Sequence, residues 1–243
     1  MTAFHDERPY GDVLLLGDNV YPDGDPAGLR AKFEAPYGEL LRRAVRFHAV
    51  LGNHDVERGR DAQIHYKHFN MGGQPYYSFT VADDLVQFFA LDSNNVDAAQ
   101  RRWLEGALSA SRARWKVVAL HHPLYSSAKR HGSDPALCAA LEPLFVRYGV
   151  AAVFAGHDHV YERTKLIEGV QYFVSGAGAK LRRGDLDPRS RFFAAGNDVA
   201  NSFMFLEVTP ERFAFWSVDA SGRILDAGTL ARSATRSEAL PAR

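Results

Sequence analysis

Residues 13–21 read Val-Leu-Leu-Leu-Gly-Asp-Asn-Val-Tyr, a short apolar run that stops at an Asp, an Asn and a Tyr. Four or five apolar residues bounded by glycine have the length and character of a buried strand. Three other runs end in the same manner. Phe47 to Gly52 leads into Asn53-His54-Asp55, Val117 to Leu120 into His121-His122-Pro123, and Ala151 to Gly156 into His157-Asp158-His159. In open α/β sheets, sites form outside the carboxyl ends of the strands. Four strands that each deliver Asp, Asn or His at that end are therefore predicted to converge on one place.

Outward from these runs, apolar strands alternate with amphipathic stretches. Helices are expected over Leu29 to Val45, interrupted near Pro36 and Gly38, over Asp97 to Ser109 and over Pro135 to Tyr148. Tyr76 to Val81 and Leu85 to Leu91 form a hairpin around Ala82-Asp83-Asp84. Val170 to Ser175, Ser202 to Val208 and Arg212 to Val218 are strand-like with little helix between them, and Gly178 to Pro188 reads as loop. Helical crossovers early and strands late predict two packed mixed sheets with helices outside, an α/β fold. Residues 1–232 read as one domain and residues 233–243 as a loose tail.

Of the 243 residues, 46% are hydrophobic and 24% charged, enough to bury a core. Lys+Arg and Asp+Glu both number 29, so nothing in the balance attracts nucleic acid or an anionic membrane, and neither is expected as a partner. Any bound anion must meet a local charge, such as a metal. The single cysteine, Cys138, excludes an internal disulfide and a cysteine-based zinc site; it reads as a small core residue inside a helix. The start, Met1 to Pro9, is polar and shows neither signal peptide nor membrane span, so the sequence as written keeps the chain in the cytoplasm.

Imidazole and carboxylate suit zinc, iron and manganese. Two such cations ~3.5–4 Å apart can clamp a phosphoryl group and activate water. GDNVY (Gly17 to Tyr21), GNHD (Gly52 to Asp55), the first His of ALHHP (Ala119 to Pro123) and GHDHVYER (Gly156 to Arg163) resemble the calcineurin-like metallophosphoesterases. The Tyr after GDN and the VYER after GHDH resemble the purple acid phosphatases in particular. The resemblance runs from about Gly11 to Gly178. It implies a four-layer sandwich and a two-metal hydrolase of small phosphate monoesters, with a metal-bound hydroxide as nucleophile. Carried over, Asp18 bridges the metals; Tyr21 and His159 bind the first, an iron; Asn53, His121 and His157 bind the second, iron, zinc or manganese. His54 contacts the phosphate or protonates the leaving group, Asp55 orients His54, and His131 matches a second substrate-site histidine.

Other residues read more plainly. His122, beside a ligand on a strand, is expected to point the opposite way; His5, His48, His65 and His68 read as ordinary polar residues; Gly176-Ala-Gly178 reads as a tight turn near the site. One family feature is missing: an earlier strand ending in an Asp for the first metal. Asp12 begins the strand that Asp18 ends, and six positions at ~3.3 Å each span ~20 Å, beyond one coordination sphere. His5-Asp6, the other candidate, lies in a polar segment expected to be mobile. Either the sequence begins inside a longer protein, whose upstream part could carry a signal for secretion or the periplasm, or the first metal site is weakened. A missing central strand leaves an unpaired edge, which favours the former. The alternatives to a monoesterase are a phosphodiesterase or nucleotide hydrolase on the same core, and a degenerate metal- or phosphate-binding domain without turnover.

Overall fold

The computed structural model describes residues 1–230, and the expected tail over 233–243 lies outside the described residues. In chain order, helix α1 (Thr2–Glu7) precedes β1 (Asp12–Leu15). A π-helical turn (Arg30–Glu34) runs into α2 (Ala35–Arg42), followed by β2 (Arg46–Ala49), α3 (Asn53–Arg58) and α4 (Arg60–Ile64). The hairpin β3 (Tyr77–Val81) and β4 (Val86–Ala90) leads to α5 (Ala98–Ala110), β5 (Trp115–Ala119), α6 (Pro135–Arg147) and β6 (Val150–Ala155). Six strands close the described chain: β7 (Tyr161–Thr164), β8 (Gln171–Ser175), β9 (Phe193–Asn197), β10 (Ser202–Val208), β11 (Phe213–Asp219) and β12 (Ile224–Leu230).

One seven-stranded mixed sheet, ordered β3-β4-β5-β6-β8-β7-β9, forms the centre. Alternation along its strands separates two cores. On one face, Val118, Leu120 and Val153 meet Leu104 and Leu108 of α5 and the Leu137, Leu141, Phe145 stripe of α6. Those helices start where side chains supply acceptors: Asp97 accepts from the Gln100 amide, and Asp134 from those of Ala136 and Leu137. On the other face, Val117, Ala152 and Phe154 meet Phe213 and Phe215 of the antiparallel β10-β11-β12 sheet. Ala90 and Ala119 meet Val50 and Leu14 at the parallel β1-β2 pair. Phe33, Leu40 and Phe69 cover the outer side of that pair. The four expected layers are present, with the second sheet divided in two.

The division falls where the sequence leaves an unpaired edge. Among the described residues, β1 pairs only with β2, and β10 only with β11. Val13 to Leu15 are accordingly half-buried, as are Phe203 and Phe205. The start of the chain differs from the mobile segment expected. Thr2–Glu7 is helical, and Phe4 packs edge-on against Phe203 and Phe205 at 5.3 and 5.1 Å. The interruption expected near Pro36 takes the form of that π-helical turn: the Ala35 amide donates to the Arg30 carbonyl, five residues back, directly before Pro36, which has no N–H to donate, while Gly38 lies within α2 without breaking it.

Four carboxyl ends carry the residues singled out above. β1 leads to Asp18, β2 to Asn53, β5 to His121 and β6 to His157. The loop after β8 closes on the last of these: a Cβ at Gly176 would lie 2.0 Å from the Asp158 carbonyl oxygen. Gly176→Ala must push the His157–His159 segment away, with an expected loss of about 1–3 kcal/mol. Urea unfolding measures it, and a variant as stable as the parent contradicts this packing.

Candidate metal centre

Backbone geometry builds the site first. Asp18 has φ 55° and His157 φ 65°, left-handed values that turn both side chains back toward the strand ends. A Cβ on Gly52 would lie 2.2 Å from Asp18 Oδ1, so only glycine permits the two loops to approach this closely. The fully buried Asp55 then joins them. Its Oδ2 accepts from the amides of Asn19 and Gly52 and from Asn19 Nδ2, and its Oδ1 accepts from the Val20 amide and Gln63 Nε2. With five donors on two oxygens, Asp55 does not orient His54 as the resemblance implied. The His54 ring instead donates from Nδ1 to the Pro22 carbonyl. Asp55 is a clamp between the Asp18 and Asn53 loops.

The candidate ligands fall into two groups that share Asp18. In one, His121 Nε2 and His157 Nδ1 lie 3.2 and 3.1 Å from Asn53 Oδ1 and 3.2 Å from each other, with Asp18 Oδ1 3.4 Å from His121 Nε2. In the other, the Tyr21 hydroxyl donates to Asp18 Oδ2 at 2.7 Å and lies 3.1 Å from His159 Nε2. His121 donates its Nδ1–H to the Leu16 carbonyl at 2.7 Å, which leaves a lone pair on Nε2 facing the group. Burial pushes His121 down to about 4, and burial with the neighbouring His121, His122 and His131 pushes His157 down to about 3. Burial opposes ionisation of Asp18, but His121, the Tyr21 hydroxyl and the His54 amide together carry its pKa below the usual carboxylate range.

These donors fit a cation. Around His121, Asn53 Oδ1 and His121 Nε2 face each other with at most one proton, on His157 Nδ1, to share, and Asp18 Oδ1, which takes the His54 amide, adds a further acceptor. Ligand bonds of ~2.0–2.2 Å give donor–donor edges of ~3.0–3.5 Å, the spacing seen here. His122 is a different case. It lies past the end of β5, so strand alternation does not carry it away, and its ring is 4.5 Å from that of His157. Geometry alone groups it with His121 and His157. Ser93 Oγ, however, accepts from the His121 and His122 amides at 3.2 and 2.9 Å. Its one proton goes to His122 Nδ1 at 2.9 Å, which leaves Nε2 protonated and unable to ligate.

Residues 2–161 match the family model described as calcineurin-like phosphoesterase. The chain belongs to this family. It is 29% identical to mouse tartrate-resistant acid phosphatase type 5 over 258 residues, 90% of this chain and 78% of the relative. It is 29% identical to purple acid phosphatase 17 of Arabidopsis thaliana over 206 residues, 72% of this chain and 61% of the relative. Among solved structures, the yellow lupin purple acid phosphatase PPD1 superposes with a TM-score of 0.74 at 17% identity, covering 94% of this chain and 48% of that one. GAP50, the anchor in the inner membrane complex of Plasmodium, superposes with a TM-score of 0.77 at 19% identity, covering 97% and 82%.

The fold brings Asp18, Tyr21, Asn53, His121, His157 and His159 together. His54 and His131 line the adjoining cavity of about 230 Å³. The two substitutes for the missing carboxylate are occupied elsewhere: Asp12 pairs with Arg46 and His48, and Asp6 with Arg43. Cys138 is half-buried in α6 and donates to the Leu124 carbonyl. Sequence reasoning missed Ser93, Arg130, Lys180 and Arg182, the last three of which also line the cavity. Ser93 had a signal, since Asp92-Ser93-Asn94 follows the β4 run in the manner of the other strand ends. The cations lie in loops without motif or period.

Asp55→Ala leaves the amides of Asn19, Val20 and Gly52 and the Gln63 side chain without their acceptor. The expected loss is about 3 kcal/mol or more. Urea unfolding and metal content measured together check it, and an unchanged midpoint contradicts the clamp.

Proposed function

We propose that this phosphoesterase is a metal-dependent phosphomonoesterase of the purple acid type, with two cations held on either side of Asp18. The observation that carries the reading is the partition of donors: one Asp18 oxygen faces Asn53, His121 and His157, and the other faces Tyr21 and His159. A carboxylate has two oxygens and can serve two cations at once. Cations held by these residues would supply charge for phosphoryl oxygens and acidify water. The first would be iron, with the Tyr21 oxygen as a ligand, and the second iron, zinc or manganese.

The protein's own groups account for the rest. Tyr21 must give up its proton to ligate, and burial and the Asp18 carboxylate hold its pKa above the ordinary value, so only a strong local positive charge can release it. His54 is fixed through Nδ1 on the Pro22 carbonyl, and this leaves Nε2 for a phosphoryl oxygen or a leaving-group oxygen. His131, exposed and with its ring 4.3 Å from that of His157, can approach the same ester from another loop. The Ser93 hydroxyl fixes the backbone at His121 and His122, so the ring beside it cannot drift.

Hydrolysis of a simple aryl monophosphate is expected in the metal-loaded protein, lost with a chelator and restored by iron with zinc or manganese. His54→Ala is expected to lower kcat about a hundredfold. Unchanged turnover in that variant removes His54 from the reaction, and absence of turnover on mono-, di- and nucleotide esters under every metal condition overturns the reading. A visible absorption band that disappears in Tyr21→Phe is expected from a ferric phenolate.

A second reading, a binding domain without turnover, draws on one observation. The Tyr21 group holds three donors, Asp18, Tyr21 and His159, and the spare carboxylates Asp6 and Asp12 are paired elsewhere. Metal analysis giving one ion per chain together with no turnover favours it.

A further inference from the structure

The cavity beside the metal centre has more positive charge than one phosphoryl group requires. Arg130, Lys180 and Arg182 line it, and among the described residues Asp18 supplies the only lining carboxylate. Asp18 is already committed to the ligand groups. Neither Arg130 nor Lys180 pairs with a carboxylate among the described residues, and Arg182 meets one only at 3.6 Å, in Asp185. Lys180 Nζ instead sits 3.2 Å from the centroid of the Tyr21 ring, directly beside the ligand set.

The backbone that carries Arg130 and Arg182 is held in place. The Arg182 amide donates to the His159 carbonyl at 3.1 Å, which fastens that loop to a candidate ligand. Buried Asp185 joins it to the other loop: its carbonyl accepts from the Lys129 amide at 2.8 Å and its Oδ1 from the Arg130 amide at 3.0 Å. Lys129 Nζ donates to the Gly184 carbonyl, and Ala128 bridges Leu186. Two loops are thus bound to each other so that their like charges face one cavity. Like charges near one another repel, and metal cations next to them would add to the repulsion. Such a concentration in a chain of zero net charge is stabilised by an anion bound between them.

We infer that Arg130, Lys180 and Arg182 form a subsite for a second phosphoryl group, next to the one held at the metals. Resting on the phosphoesterase reading, this makes the preferred substrate one with two neighbouring phosphoryl groups, such as a nucleoside diphosphate, rather than an ester with an uncharged leaving group. The terminal phosphoryl lies at the metal centre and the inner one among the three cations. Arginine forks suit that role because they present paired N–H groups to two oxygens.

The test uses non-hydrolysable probes and calorimetry on the metal-loaded full chain. Methylenebisphosphonate is expected to bind at least about tenfold more tightly than methylphosphonate. The double variant Arg130→Gln, Lys180→Met changes two exposed side chains, and an unshifted thermal midpoint shows that it is folded. In it the advantage is expected to fall below about threefold. An advantage absent from the parent, or kept in full by the variant, overturns the subsite. An equal advantage for phosphonoacetate overturns the assignment to a phosphoryl group. If the parent hydrolyses no ester yet shows the advantage and loses it in the variant, the subsite stands and the hydrolytic reading falls.

Discussion

A single buried carboxylate holds the two halves of the β1–β2 end in register. Asp55 is fully enclosed, and it collects amides from Asn19, Val20 and Gly52 and side-chain donors from Asn19 and Gln63. Without that acceptor, several buried N–H groups would be left unpaired at about 1–3 kcal/mol each. Because they are paired, the Asp18 and Asn53 loops touch through the bare Cα of Gly52, and Asp18 keeps a left-handed backbone. Strained conformations of this kind cost about 1–3 kcal/mol and persist where the surroundings over-determine them.

The other half of the centre comes from the large sheet. β5 and β6 run parallel, and their ends place His121 and His157 opposite Asn53. Burial keeps both rings neutral, and the Leu16 carbonyl, on the first strand's own extension, selects the tautomer of His121. Each sheet therefore completes the other's contribution: the small pair gives oxygen donors, and the large sheet gives nitrogens. His159 and Tyr21 repeat that pairing on the opposite oxygen of Asp18.

Much of this was legible in the sequence because strand ends are local. An apolar run followed by Gly and a polar cluster identifies both the strand and the place its ligands occupy, so the positions of Asp18, Asn53, His121 and His157 followed directly. Strands β7, β9 and β12 were missed. Tyr161-Glu-Arg-Thr164 and Phe193-Ala-Ala-Gly-Asn197 lack an apolar run, and tertiary pairing, of β7 with β8 and β9 and of β9 with β7, makes them strands. The roles of Asp55 and His122 also escaped, since each depends on partners distant in sequence: Asn19 for the one and Ser93 for the other. Helix α1 was hidden for the same reason. Phe4 packs against Phe203 and Phe205, and Asp6 pairs with Arg43, all distant in sequence.

Sharing of Asp18 between two cations is the central proposal. Anomalous diffraction from crystals of the manganese-loaded protein tests this most directly. Two peaks roughly 3.5–4 Å apart, one beside each Asp18 oxygen, are the expected result. A single peak enclosed by His121, His122 and His157, away from Tyr21 and His159, would contradict it.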